Sequence, residues 1–190
     1  MNNATGKGAF SEAHIRRTVA RVVAMLPPDV AAALQSKKLT ISVMPSSTWG
    51  TKAPLADYNP VTHEIRLNRD GISNLVGNKN NNVAERIFHE MGHWIHMNGP
   101  QWYKDEIEKL YDAKTAGESK IWSSIYNCWI KRDRWYDEYA GDINKLEVVT
   151  RHFQLLTNPM KMELEMMNSP NGSTIAENMK TVLKVFYEHK

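Results

Sequence analysis

His89, Glu90 and His93 stand in the order His-Glu-x-x-His, with Met91 and Gly92 between them. On a helix, side chains four positions apart share a face, so both imidazoles can reach one metal ion while Glu90 stands beside it. Imidazole nitrogen suits zinc, and a catalytic zinc keeps one coordination position open for water. Water held there is acidified toward neutrality, and a carboxylate can take its proton and hand it to a leaving amine. Glu90 is the residue for that role. The pattern predicts metal-assisted hydrolysis of peptide bonds, with Zn2+ as cofactor and a peptide or protein as substrate. The plainer alternative is two histidines on a wet helix face. Context weighs against it: the motif lies inside a helical pattern, Gly92 leaves room beside a metal, and a strand pair precedes it.

A third protein ligand remains to be found. The metzincin pattern HExxHxxGxxH needs Gly at position 96 and His at position 99, but the chain has His96 and Gly99, which excludes that class. His96 lies near the azimuth of His89, yet about a turn beyond His93 along the helix, and is expected to be a polar neighbour of the site. Zincins of the other main type take a glutamate from a later helix, and Glu138 and Glu147 are the candidates. Glu138 opens a Glu-x-x-x-Asp pattern ending at Asp142, between Arg134-Trp135 and Gly141, which argues against a long supporting helix. Glu147 opens an apolar helical segment with Leu146, Val149, Phe153 and Leu156, the rigid support a ligand needs. Glu147 is preferred.

The elements that must position these residues can be read from periodicity and breakers. From Ser11 to Gln35, Ile15, Val19, Val22, Val23 and Leu26 recur at helical spacing, with Ser11 as cap and Pro27-Pro28 interrupting, so two helices are expected. Leu39 to Met44 alternates as a strand, and Pro54 to Asn68 reads as a hairpin turning at Asn59-Pro60. The strand His63 to Leu67 is the expected sheet edge to which an extended peptide could add, with His63 itself a surface residue. Asn81 or Asn82 is expected to cap the motif helix, whose apolar side is Val83, Ile87, Met91 and Ile95 and whose end is Asn98-Gly99-Pro100. Further helical patterns run from Trp102 to Lys114, about Leu146 to Leu156, and Thr174 to Glu188. The fold class expected is α+β: a single zincin-like domain over 1–190, mostly helical, with a small mixed or antiparallel sheet ahead of the motif helix and a flexible lead at 1–10.

Composition bounds the rest. The chain has 190 residues, enough for one core of ordinary size. One cysteine, Cys128, excludes an intrachain disulfide and a cysteine-based structural zinc site within one chain; it reads as a small buried residue. A net charge of +3, with its most basic run at Lys131-Arg132-Asp133-Arg134 broken by an acid, gives little support for nucleic-acid binding. No apolar run approaches the length of a membrane span, and residues 1–9 lack the apolar core of a secretory signal, so the cytoplasm of the producing cell is the expected location. Five of the six tryptophans, Trp94, Trp102, Trp122, Trp129 and Trp135, read as core or cleft wall, and Met160, Met162, Met166 and Met167 as a soft apolar patch that packs or serves a partner.

Beyond HExxH, the stretch with Tyr139, Asn144, Glu147 and Phe153 resembles the lethal-factor-like gluzincins, whose pattern is a Tyr, an Asn three residues before the ligand Glu, and a helix containing Phe. The Tyr-to-Glu spacing is slightly longer here than in that family. The resemblance implies Glu147 as third zinc ligand and Tyr139 near the open side of the metal, its phenol donating to the developing oxyanion. The run Asp137-Glu138-Tyr139-Ala140-Gly141, with Leu146 to Thr150 and Leu155 to Pro159, also looks like the C-terminal part of zinc peptidases encoded in phage structural modules. That likeness covers roughly Val83 to Phe186. It implies a phage or prophage origin, incorporation in a virion, and other virion proteins as partners. A rival function follows from it: an assembly or interaction module that keeps the zinc site with little or no peptidase activity.

Overall fold

In the computed structural model, residues 8–50, 53–75, 77–105, 121–123, 128–130 and 150 are described, with only the backbone of 121–123 and 128–130. Their architecture is mixed α+β, with helices packed on a small three-stranded mixed sheet.

Helix α1 spans Glu12–Met25 and helix α2 spans Pro28–Gln35. Ser11 caps α1, its side chain accepting from the His14 backbone N–H over 3.3 Å. Pro28 occupies the first turn of α2, where a missing N–H costs no hydrogen bond, so the two prolines separate the helices as the pattern predicts. Ahead of α1, Gly8–Phe10 form a short 3-10 turn with Ala9 and Phe10 buried. Within the lead expected over 1–10, Ala9 and Phe10 pack against the core, where Phe10 has apolar surface to bury.

Strand β1 (Thr40–Met44) runs parallel to β3 (Glu64–Asn68), and β2 (Ala56–Asn59) runs antiparallel to β3, in the order β1-β3-β2. The hairpin turn follows Asn59, whose side-chain oxygen accepts from the backbone N–H groups of Val61 and Thr62 over 2.9 and 3.3 Å. The expected edge strand is overturned. The segment 63–67 falls almost wholly in β3, the central strand, with Ile65 between Ile41 and Tyr58. Chain proximity reveals a hairpin, but the parallel pairing of β1 crosses from elsewhere and takes the other side of β3. Among the described residues, the edges are β1 and β2.

Helix α3 covers Arg69–Ser73, and helix α4, which carries the motif, covers Lys79–Asn98. Asn78 caps α4, accepting from the Asn80 N–H over 2.9 Å, so the cap falls earlier than the expected Asn81 or Asn82. Any asparagine of the tract has the chemistry to cap, and propensity does not choose among neighbours. Gly99 follows the last turn, as expected. Val83, Ile87, Met91 and Ile95 are fully buried, facing a core that includes Ile15 and Val22 of α1, Ile65 and Leu67 of β3, and Tyr103. Burying each such aliphatic side chain contributes roughly 1.5–3 kcal/mol, which pins one face of α4 to the core and leaves His89, Glu90 and His93 on another.

Residues 101–105 are helical, at the start of the helix expected from Trp102 to Lys114, and Trp102 ties them to α2 through its indole N–H, which donates to Asp29 over 2.7 Å. Backbone strands β4 (Ile121–Ser123) and β5 (Cys128–Ile130) pair antiparallel; these short strands were not expected and include Cys128, Trp122 and Trp129. Residues 106–114, Lys131 to Trp135, the segments 146–149 and 151–156, the methionines from Met160 to Met167 and the pattern from Thr174 to Glu188 lie outside the described residues. Among the described residues, no helix is long and apolar enough to cross a membrane.

Candidate metal centre

The motif residues fall where helical geometry puts them. His89 and Glu90 are 6% and 5% exposed, His93 is half-buried, and the three offer ligand atoms that all lie within 4.8 Å of one another. The imidazole rings of His89 and His93 stand 5.1 Å apart between centroids, at an interplanar angle of 83°. Two nitrogens bound to one tetrahedral zinc at 2.0–2.1 Å are about 3.3 Å apart. Small side-chain rotations bring the pair to that spacing, so the donor set fits a metal ion.

These side chains open into a pocket of about 440 Å³. On the α4 side it is lined by His89, Glu90, His93 and Met97; on the other side stand Ala56, Asp57 and Tyr58 of β2, with Pro54 and Pro60 flanking the strand. The site thus lies between one helix and the edge strand β2.

Asp57 is held to Arg66 of β3 by two hydrogen bonds, one of them from Nε over 2.8 Å, and the Arg66 guanidinium lies 4.9 Å over the Trp49 ring. The hydrogen bond that the guanidinium donates to Asp57 is the main influence keeping it charged, outweighing its partial burial. Tyr58 is half-buried, and burial raises its phenol above the ordinary tyrosine range, partly offset by a hydrogen bond from Asn98. Tyr58 was not singled out by sequence. Its signal was only that of a tyrosine in a strand ahead of the motif, and the contact of β2 with α4 is not written in local periodicity.

Three expectations change. His96 is buried and sits with its ring 6.5 Å from that of Tyr103, rather than beside the metal group: one more turn carries it past the pocket and into the core. Tyr103 is fully buried and its phenol is pushed strongly upward by that burial. His63 is half-buried, with its Nδ1 2.9 Å from the Tyr58 hydroxyl, so it is not a plain surface residue. Gly92 does not serve the space beside a metal. A Cβ there would lie 2.7 Å from Thr150 Cα and 2.8 Å from its Cγ2, so the missing side chain admits a fully buried helical residue from far along the chain.

Glu147, Glu138 and Tyr139 lie outside the described residues. The structure brings together His89, Glu90 and His93, and adds Tyr58 and Asp57 to the wall facing them. Compared with protein-family models, curated proteins and solved structures, the chain matches none.

Proposed function

We propose that this chain is a zinc-dependent peptidase of the gluzincin type, with zinc held by His89, His93 and Glu147, Glu90 as general base and acid, and Tyr139 as a hydrogen-bond donor to the oxyanion. The observation that carries the reading is the clustering of two imidazoles and one carboxylate within 4.8 Å at the wall of an open pocket. Zinc, when bound, supplies Lewis acidity toward a carbonyl oxygen and lowers the pKa of water. Glu90 removes a proton from the attacking water as its oxygen bonds to the carbonyl carbon. The same carboxyl then returns that proton to the amine nitrogen as the C–N bond breaks, so the proton balance closes.

Support for Glu147 is indirect and specific. Thr150 is helical and packed against Gly92, so the chain returns to the motif helix three residues beyond Glu147. Edge strand β2, across the pocket from Glu90, takes the place expected for the segment 63–67 as the surface where an extended substrate would add.

The test is Glu90→Gln, assayed on unstructured β-casein with zinc content measured in the same sample. The expected result is one zinc retained per chain and cleavage reduced by at least about a hundredfold, the scale of a lost general base. Cleavage equal to wild type would sink the mechanism. Zinc binding with no cleavage by the wild-type protein would instead favour an assembly module that retains the metal site.

A further inference from the structure

The β2 wall carries a side chain for which the motif gives no account. Tyr58 lines the same pocket as His89, Glu90 and His93, and its hydroxyl is held from two sides. Asn98, on the last turn of α4, donates from Nδ2 to the phenol oxygen over 3.1 Å, and His63 Nδ1 lies 2.9 Å away. The same Asn98 amide nitrogen donates to the Trp94 carbonyl over 2.9 Å, so both of its N–H bonds are engaged and its orientation is fixed.

His63 reaches the phenol from the hairpin turn with φ at 51°, the left-handed region, which it alone enters among the described non-glycine residues. A backbone conformation of that kind persists where the surroundings over-determine it, and such positions cluster at functional sites. Because burial raises the phenol, Tyr58 keeps its proton through the neutral range.

A phenol has one proton to donate and lone pairs to accept. Two directions are engaged by Asn98 and His63, and among the described residues the hydroxyl has no third partner. When His63 Nδ1 accepts, the phenol donates its O–H to the imidazole and retains a lone pair for an incoming N–H. When Nδ1 carries the proton, the phenol accepts from His63 and its own O–H is released to an incoming carbonyl. A peptide group offers one N–H and one C=O, and so complements either state. The rest of that wall does not compete: Asp57 is engaged by Arg66, and Pro54, Ala56 and Pro60 bring no polar side chain.

We propose that Tyr58 is a substrate-binding residue that hydrogen-bonds a main-chain peptide group of the bound polypeptide, with His63 and Asn98 as positioning residues. The proposal rests on the peptidase reading above. It assigns the substrate as an extended backbone gripped opposite Glu90, independently of side-chain sequence.

The test measures kcat and KM of the zinc-loaded protein on β-casein for wild type, Tyr58→Phe and His63→Ala, with zinc content and urea midpoint recorded for each. Tyr58→Phe keeps the ring and removes the hydroxyl; it is expected to raise KM about two- to tenfold, the range for one neutral hydrogen bond, with zinc content unchanged. His63→Ala keeps the phenol and frees its orientation, and a smaller rise in KM is expected. A role confined to the hairpin would lower the urea midpoint in both variants and leave KM alone, which would overturn the proposal. If Tyr58→Phe does not fold, His63→Ala decides: unchanged KM refutes the assignment. Wild-type protein that holds zinc and does not cleave casein removes the peptidase reading and this inference together, whereas wild-type cleavage with unaltered variants removes only the inference.

Discussion

Replacing Gly92 by alanine sets two known effects against each other at the centre of the motif. In a helix interior, Gly→Ala stabilises by about 0.8–1.0 kcal/mol through backbone entropy. Here the new Cβ would meet Thr150 Cα at 2.7 Å and Cγ2 at 2.8 Å. Carbon atoms pack best at about 3.5–4.0 Å, so the two segments must separate by roughly 0.8 Å. The nearest atom belongs to the backbone, and no rotamer change relieves it. Overpacking of this kind costs about 1–3 kcal/mol, which cancels the propensity gain and leaves a net loss of up to about 2 kcal/mol. Urea unfolding of the metal-free protein, followed by circular dichroism, reads the fold without the contribution of zinc. Adding Thr150→Gly removes the Cγ2 contact and should restore part of the loss, a coupling between the two sites. If Gly92→Ala gains the full increment of helix propensity, the packing of Thr150 on the motif helix is refuted. The support drawn from it for Glu147 falls as well.

The choice of third ligand has its own test. Glu147→Ala is expected to weaken zinc affinity at least about tenfold, whereas Glu138→Ala leaves it near wild type; the reverse result in competition titrations with a zinc chelator reassigns the ligand. A separate pH effect is expected at His14. Burial, and more weakly the charges of Arg17 and Arg21, lower its pKa from 6.5, while a hydrogen bond to the Asn80 backbone acts in the opposite sense. Because the unfolded chain binds the proton more readily, the stability associated with neutral His14 is fully present above pH 6.5 and is lost as pH falls through the lower folded value. In urea titrations between pH 7.5 and 5, the metal-free wild type should lose more stability than metal-free His14→Gln; parallel losses would contradict the assignment.

The parts of the fold legible in sequence were those decided by neighbours in the chain. Pro27-Pro28 separate α1 from α2, Ser11 caps α1, and the spacing of Val83, Ile87, Met91 and Ile95 turns the motif face of α4 away from the core. What could not be read was set by pairing at a distance. Alternation cannot tell a central strand from an edge, and β3 became central because β1 pairs with it in parallel. Helical spacing alone left His96 near the motif face, yet Tyr103 receives it in the core. Tyr58 joins the site because β2 lies across the pocket from α4, and Gly92 admits Thr150; neither contact leaves a mark within its own segment. The residues of the motif were the most legible, since their spacing on one helix is itself what brings them together.

The central claim is tested most directly by following β-casein cleavage through one cycle of metal removal and return. Wild-type protein is assayed as purified, after dialysis against a strong chelator, and after one equivalent of Zn2+ is restored. The account expects cleavage to disappear with the metal and to recover with the single equivalent. Cleavage that survives complete removal of zinc, or that stays absent with one zinc bound per chain, would contradict it.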